Sequence, residues 1–235
     1  MRIPGDVIRL ISSNVESPLD LVRLSRCNKY FLRYLKDLSE IKKWRSYLLE
    51  KRMKKAAKKG EEEIMKLCIL KGACDWNEGL YYASRGGHRL LIEFFITKGA
   101  NNWNWGLYGT SIGGHQTLVD FFMTKGANHW NRGLYYASRG GHQTLIDLFI
   151  TKGANAWNRG LFGASLGGHL QLAEFFISKG AYNWGSALYY ASLGGHRSLV
   201  DFFISKGAND WNRGLEGAST GGHQLLIDFF KEKMK

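Results

Sequence analysis

Six histidines recur along the chain at one constant interval, each directly after a Gly-Gly pair. They are His88, His115, His142, His169, His196 and His223. Imidazole binds metal ions and exchanges protons near neutral pH, so this row could serve a metal centre or acid–base catalysis. Either chemistry requires side chains that converge on one point.

The spacing of the histidines argues against both kinds of chemistry. One histidine per repeating unit, with neighbouring units about 10 Å apart as packed helices are, gives a row and not a cluster. No column of cysteines or carboxylates accompanies the histidines at ligand spacing. We interpret all six as structural side chains that hydrogen-bond backbone at the Gly-Gly turn, and we predict no metal, no cofactor and no catalytic residue.

The elements that position the histidines form an internal repeat. Six units begin at tryptophans that are 27 residues apart: Trp76, Trp103, Trp130, Trp157, Trp184 and Trp211. Each unit predicts a short helix that ends at Gly-Gly and a more apolar second helix that ends at a glycine. Such self-similarity is typical of a stacked array. We assign residues 76–235 to six repeats and residues 47–75 to a degenerate capping repeat, in which Glu61 replaces the histidine.

Three columns of the repeat carry structural predictions, which concern the helix caps, the packing between neighbouring units and the contacts between tryptophans. The asparagines that follow five of the tryptophans are assigned as N-caps of the first helices: Asn77, Asn104, Asn131, Asn158 and Asn212. Another column alternates large and small side chains: Tyr82, Gly109, Tyr136, Gly163, Tyr190 and Gly217. We expect each tyrosine to lie over the glycine of the adjacent unit, which gives a super-repeat of two units. The tryptophans are expected to contact one another as a ladder.

The third repeat carries landmarks that resemble those of the ankyrin repeat. They are Leu134, Ala137, Gly141, His142, Leu145, Ile146, Leu148, Phe149, Gly153, Ala154 and Asn155. The resemblance covers residues 49–235, but the 27-residue unit is shorter than the family's about 33 residues. The missing residues fall where ankyrin repeats build a β-hairpin finger. The resemblance therefore implies an all-α, ankyrin-like helical solenoid that lacks the β-hairpin fingers.

Residues 1–46 do not repeat, and they resemble an F-box. The positions that the resemblance assigns to adaptor binding are Ile3, Pro4, Val7, Ile8, Ile11, Leu21, Leu24 and Phe31. An F-box implies a small helical domain that docks on the Skp-type adaptor of a cullin–RING ubiquitin ligase. An F-box-like segment joined to ankyrin-like repeats is similar to host-interaction proteins of large DNA viruses. The alternative interpretation is a helical N-terminal cap that only shields the repeats.

Basic charge is concentrated at the N-terminal end of the chain. Residues 1–60 carry 16 Lys/Arg against 6 Asp/Glu, a net of +10, whereas residues 61–235 carry 17 against 14, a net of +3. Nearly neutral repeats disfavour nucleic acid as their ligand. We interpret the densest basic run, residues 51–59, as the solvated face of a helix. A nuclear-import signal and a patch for an acidic partner remain the alternatives.

The remaining composition predicts a location inside the cell. No apolar run is long enough to span a bilayer, and the N-terminus shows no secretory signal, so no membrane is expected as a partner. The three cysteines lack a Cys-x-x-Cys pair, as expected in a reducing compartment. We expect a cytoplasmic or nuclear protein, in the host cell if the chain is viral.

These features together predict a non-enzymatic adaptor that recruits an unidentified protein substrate to a ubiquitin ligase. The substrate is expected at positions that differ between repeats while their neighbours stay fixed. These positions are Arg85, Ile112, Arg139, Leu166, Leu193 and Thr220 before each Gly-Gly, and Glu78, Trp105, Arg132, Arg159, Ser186 and Arg213 near the start of each unit. Arginines among apolar groups are typical of interface hot spots. The rival hypothesis is an ankyrin-like scaffold or nuclear protein whose residues 51–59 bind nucleic acid or import factors.

Overall fold

The computed structural model of the chain describes residues 38–70, 72–73 and 75–234. The F-box-like positions therefore lie outside the described residues. Within the described part, the chain forms fourteen α-helices and no β-strand. The all-α prediction is confirmed for these residues, which contain no hairpin finger.

Two of the described helices precede the six repeats, and each repeat then contributes a first and a second helix. The leading helices are α1 (Leu38–Lys59) and α2 (Glu62–Leu70). The first helices are α3 (Trp76–Gly86), α5 (Trp103–Gly113), α7 (Trp130–Gly140), α9 (Trp157–Gly167), α11 (Trp184–Gly194) and α13 (Trp211–Gly221). The second helices are α4 (Arg89–Thr97), α6 (Gln116–Thr124), α8 (Gln143–Thr151), α10 (Leu170–Ser178), α12 (Arg197–Ser205) and α14 (Gln224–Lys233).

The chain divides into two compact units. The described residues of the first are 38–53, 63–70 and 72–73, and those of the second are 54–62 and 75–234. In the first unit, helices α1 and α2 bury Leu49, Met53, Met65 and Cys68. Helix α1 runs without interruption through residue 46, where the sequence suggested a domain boundary.

The two helices of each repeat pack around one buried phenylalanine. Phe149 of the third repeat is fully buried, and Gly133 lies so close to its ring that any Cβ at that position would collide with it. Glycine makes the same contact in repeats 1, 2, 4 and 6, at Gly79, Gly106, Gly160 and Gly214. The first helix of this repeat ends at Gly140 and is capped by Gly141, whose φ of 80° lies in the left-handed region that favours glycine.

The asparagines after the tryptophans are not the N-caps that the sequence predicted. The first helices begin at the tryptophans, so each cap is the residue before a tryptophan. Four of these caps, Asp75, Asn102, Asn183 and Asp210, accept a hydrogen bond from the backbone N–H three residues later. The predicted asparagines lie inside the first turn instead, because cap preference alone does not distinguish neighbouring polar residues at a helix start.

The predicted tryptophan ladder is also wrong. Among the described rings, no two tryptophans contact each other; Trp130 instead stacks on Phe149 of its own repeat, with ring centroids 6.4 Å apart. Because Trp130 is the first residue of α7, its ring can pack on the second helix of the same unit. In the third repeat the tryptophan therefore joins the two helices of its own unit.

The first helices stack at alternating intervals. The pairs α3–α5, α7–α9 and α11–α13 pack more closely than α5–α7 and α9–α11. At each close pair a glycine faces a backbone carbonyl of the preceding helix: Gly109 faces that of Tyr81, Gly163 that of Tyr135, and Gly217 that of Tyr189. The predicted two-unit super-repeat is thus present, and the glycine column sets the helix spacing.

Candidate interaction surface

Each histidine of the row hydrogen-bonds the preceding repeat. The Nε2 of His142 donates to the carbonyl oxygen of Ile112 at 3.2 Å, and the ring lies on Gly114. The other five histidines reach the equivalent carbonyls of the units before them at 3.0–3.2 Å. The predicted bond to backbone at a Gly-Gly turn is confirmed, and the turn belongs to the neighbouring unit. Within the described residues, no three His, Cys, Asp or Glu side chains are grouped as a metal site requires.

Asparagines in the first turn of the first helices make a second link between repeats. The Oδ1 of Asn131 accepts the backbone N–H groups of Asn155 and Ala156, each at 2.9 Å. Asn77, Asn104 and Asn158 make the same pair of bonds to the next repeat. These bonds fix the loop that leads into the following first helix. In the sequence, residues that favour the N-cap position also stand directly before several tryptophans. This pattern indicates that the asparagine after the tryptophan has another role.

Repeat 5 lacks the asparagine link because Gly185 occupies that position. The nearest atom to a Cβ built on Gly185 is the Cβ of Asp210 at 3.9 Å, so a side chain fits there. We expect Gly185→Asn to raise the free energy of unfolding by about 1–2 kcal/mol, since each hydrogen bond adds about 1 kcal/mol and asparagine is a better helix former than glycine. Denaturant titration measures the change. Asn131→Gly is the matched control and should destabilise; a Gly185→Asn variant no more stable than the native chain would contradict the link.

Aromatic rings form a continuous chain along the first helices. Tyr136 stacks on Tyr108 with centroids 5.0 Å apart, and its edge contacts reach Tyr135 at 5.1 Å and Tyr81, two repeats earlier, at 6.4 Å. The arrangement recurs two repeats later, where Tyr190 contacts Phe162, Tyr189 and Tyr135. We call this set the aromatic chain; its members are Tyr81, Tyr82, Tyr108, Tyr135, Tyr136, Phe162, Tyr189 and Tyr190. The sequence interpretation assigned the tyrosine column to packing alone and so omitted it from the candidate surface.

Charge is segregated between the two sets of helices, although the repeats are nearly neutral overall. The first helices carry five arginines and two glutamates: Arg85, Arg132, Arg139, Arg159, Arg213, Glu78 and Glu216. Glu78 is paired with Lys54, whose Nζ lies 2.6 Å from the carboxylate. The second helices each carry a carboxylate at the same position: Glu93, Asp120, Asp147, Glu174, Asp201 and Asp228. The first helices therefore combine most of the arginines of the repeats with the aromatic chain.

The predicted positions before each Gly-Gly lie at the C-terminal ends of the first helices. Arg85, Arg139, Leu166 and Leu193 are half-buried, and Thr220 is exposed. Ile112 is a correction, because its side chain is buried, with 9% exposed. Helix α5 is pressed against α3 at Gly109 and also packs against α7, so little of it reaches solvent. Ile112 therefore belongs to the core and not to a binding surface.

The predicted positions near the start of the first helices make several contacts with their neighbours. Trp105 is 37% exposed, and its ring meets Tyr81 edge-on at 6.3 Å. The Arg132 guanidinium lies 5.8 Å from the ring centroid of Tyr108. Arg213 donates to the Ser186 hydroxyl at 2.6 Å, and Arg159 is exposed. Trp105 thus extends the aromatic chain, and Arg132 lies beside it.

The basic run at residues 51–59 lies on helix α1. Its side chains Lys51, Lys55, Lys58 and Lys59 are exposed, whereas Met53, Ala56 and Ala57 of the same segment are buried. The Lys58 carbonyl accepts the hydrogen bond from His88. The interpretation of this run as the solvated face of a helix is confirmed.

Burial raises the pKa of three hydroxyls of the aromatic chain above the ordinary tyrosine value. It raises the pKa of Tyr135 to about 12, while the nearby Arg139 acts in the opposite direction. Burial also raises the pKa of Tyr81 and of Tyr108. The Tyr108 hydroxyl is already hydrogen-bonded to Nδ1 of His129 at 2.6 Å. The hydroxyls of Tyr81 and Tyr135 can therefore donate to a ligand in the physiological pH range.

The raised pKa of Tyr135 predicts a loss of stability in alkaline solution. Between about pH 10 and about pH 12 the unfolded tyrosine has lost its proton and the folded one retains it, so the free energy of unfolding falls as pH rises; below about pH 10 the stabilisation is complete. Tyr135→Phe removes this titration, and Phe162 shows that phenylalanine fits the column. Thermal unfolding on both sides of this range should show a smaller alkaline drop in the variant. Equal drops would contradict the assignment.

Within the described residues, no helix combines the length and the apolar character that crossing a bilayer requires.

In comparisons with known proteins, no family model and no curated protein matches the chain.

Proposed function

We propose that the protein is a non-enzymatic adaptor that recruits a protein substrate to a cullin–RING ubiquitin ligase. The observation that carries the proposal is the aromatic chain, which continues across five repeats on helices that also carry arginines. Aromatic and arginine side chains contribute most of the binding energy in protein interfaces. An extended, rigid row of such groups suits a protein ligand better than an enclosed small molecule.

The histidine row supports a non-enzymatic role. Each Nε2 is used in a bond to the backbone of the preceding repeat, so none of the six imidazoles is available on that nitrogen for proton transfer or metal binding. The asparagine links add a second set of bonds across the same junctions. Such repeated junctions make a stiff array, as expected of a binding scaffold.

The N-terminal segment supports the proposed link to the ubiquitin ligase. Its resemblance to an F-box assigns Ile3, Pro4, Val7 and Ile8, with the later apolar positions, to the contact with the Skp-type adaptor. The repeats would then select the substrate. The second candidate function is a nuclear scaffold, which the four exposed lysines of residues 51–59 favour as an import or nucleic-acid contact.

Affinity purification of the tagged full chain from host cells separates the two candidates. We expect the Skp-type adaptor and its cullin in the eluate, and we expect them unchanged when Lys51, Lys55, Lys58 and Lys59 are replaced by glutamine. Absence of the adaptor, together with import factors or nucleic acid that are lost from the lysine variant, would favour the scaffold.

A further inference from the structure

We propose that Arg85 and Arg139, with the hydroxyls of Tyr81 and Tyr135, form a carboxylate-binding site for an acidic segment of the protein substrate. The proposal rests on the function argued above, in which the repeats bind that substrate. It adds the chemistry of the ligand and the place on the array where its charge is received.

The two tyrosines of the proposed site belong to repeats 1 and 3, and each has an arginine one helical turn away on its own helix. Tyr81 and Arg85 are one helical turn apart on α3, as are Tyr135 and Arg139 on α7, so each pair shares a helix face. Tyr136 connects the two helices, because its ring contacts Tyr135 at 5.1 Å and Tyr81 at 6.4 Å. The intervening repeat carries Gly109 in the column of Tyr136, so no side chain at that position separates the rings.

The backbone of both arginines is fixed by the histidine row. His115 donates to the carbonyl of Arg85, and His169 donates to the carbonyl of Arg139, each at 3.2 Å. Both side chains are half-buried among their neighbours. A side chain that is half-buried in the free protein has less conformational entropy to lose when it binds, so these arginines are suited to a specific contact.

The positive charge of the two arginines favours an anionic ligand. Among the described residues, neither arginine forms an ion pair, and neither the Tyr81 nor the Tyr135 hydroxyl makes a hydrogen bond. Burial raises the pKa of Tyr81, and the positive charges of Arg85 and Arg139 both act in the opposite direction. Glu78, the acidic residue of α3, is paired with Lys54. Guanidinium and phenol groups together offer donors, and a carboxylate accepts from several donors at once.

The surroundings favour an acidic peptide over a nucleic acid. Tyr136 covers one face of Tyr108, and Tyr190 covers one face of Phe162, so these faces cannot stack on unpaired bases. In repeats 4 and 5 the positions equivalent to the arginines are Leu166 and Leu193. The ligand therefore needs carboxylates over repeats 1 to 3 and apolar side chains over repeats 4 and 5.

The test is a peptide titration of the full chain with a matched charge control. The probe is a fluorescein-labelled peptide of alternating glutamate and leucine, followed by fluorescence anisotropy. Arg85→Gln/Arg139→Gln should weaken binding at least about tenfold, as the loss of hot-spot residues does. The control Arg89→Gln/Arg197→Gln removes the same charge from second helices, where these arginines pair with Glu93 and Asp201, and should change binding less than about twofold.

Each other outcome counts against the carboxylate site. Equal weakening by the two double variants means general charge attraction, and equal binding of a glutamine–leucine peptide means that no carboxylate is recognised. Tighter binding of a single-stranded oligonucleotide, or no binding of the acidic peptide by the native chain, also overturns it. Circular dichroism verifies that both variants fold. Because the probe does not involve the Skp-type adaptor, failure to bind that adaptor would defeat the ligase proposal and leave this site standing.

Discussion

Alanine at Gly163 should destabilise the repeats by about 2 kcal/mol or more, although alanine is the better helix former by about 1 kcal/mol. A Cβ on Gly163 would press on the carbonyl oxygen of Tyr135 and lie 3.1 Å from the Cβ of Ser138. The Tyr135 carbonyl is part of helix α7 and cannot move without separating α7 from α9. The expected result is an earlier denaturation midpoint by circular dichroism.

Alanine at Gly185 provides a control, because it is expected to change the stability of the chain in the opposite direction. Gly185 also lies in a first helix, but the nearest atom to its added Cβ is 3.9 Å away. Gly185→Ala should therefore stabilise the chain by up to about 1 kcal/mol through helix propensity alone. If both variants shift the midpoint in the same direction, the close helix pairs do not depend on glycine and the account of the super-repeat is wrong.

Aspartate at Ile8 and Ile11 together should abolish binding of the Skp-type adaptor. The two residues are three apart, so they share one face of the helix that the F-box resemblance implies. Placing two carboxylates in an apolar interface costs several kcal/mol, which is enough to remove measurable binding. Co-precipitation with purified adaptor measures the loss. The control is Arg85→Gln/Arg139→Gln, which should bind the adaptor normally; undiminished binding by the isoleucine variant would refute the F-box assignment.

The repeat boundaries and the role of the histidines were accessible from sequence because both are periodic. A strictly constant spacing requires every histidine to have the same surroundings, and a row of identical sites is incompatible with one converged metal centre. The glycines at Gly-Gly turns indicate left-handed backbone, which the structure shows at Gly87, Gly114 and Gly141 among others. Periodicity therefore established the architecture.

Contacts between repeats were harder to predict, because they depend on distances between side chains in the folded chain. The spacing of residues along the sequence does not define these distances. Asn131 was assigned as an N-cap, since the preference is local, but its partners are the N–H groups of Asn155 and Ala156 in the next unit. Ile112 varies between repeats like a surface residue and is nevertheless buried by the close approach at Gly109. The aromatic chain was missed because side chains two repeats apart meet only across a glycine-bearing unit.

The most direct test of the proposed function asks whether one chain binds the Skp-type adaptor and the glutamate–leucine peptide at the same time. Purified Skp-type adaptor is immobilised on a surface plasmon resonance chip, the full chain is injected, and the glutamate–leucine peptide follows. We expect the adaptor to retain the chain and the retained chain then to capture the peptide. An adaptor surface that does not retain a chain shown to be folded by circular dichroism, or a retained chain that no longer takes up the peptide, would contradict it.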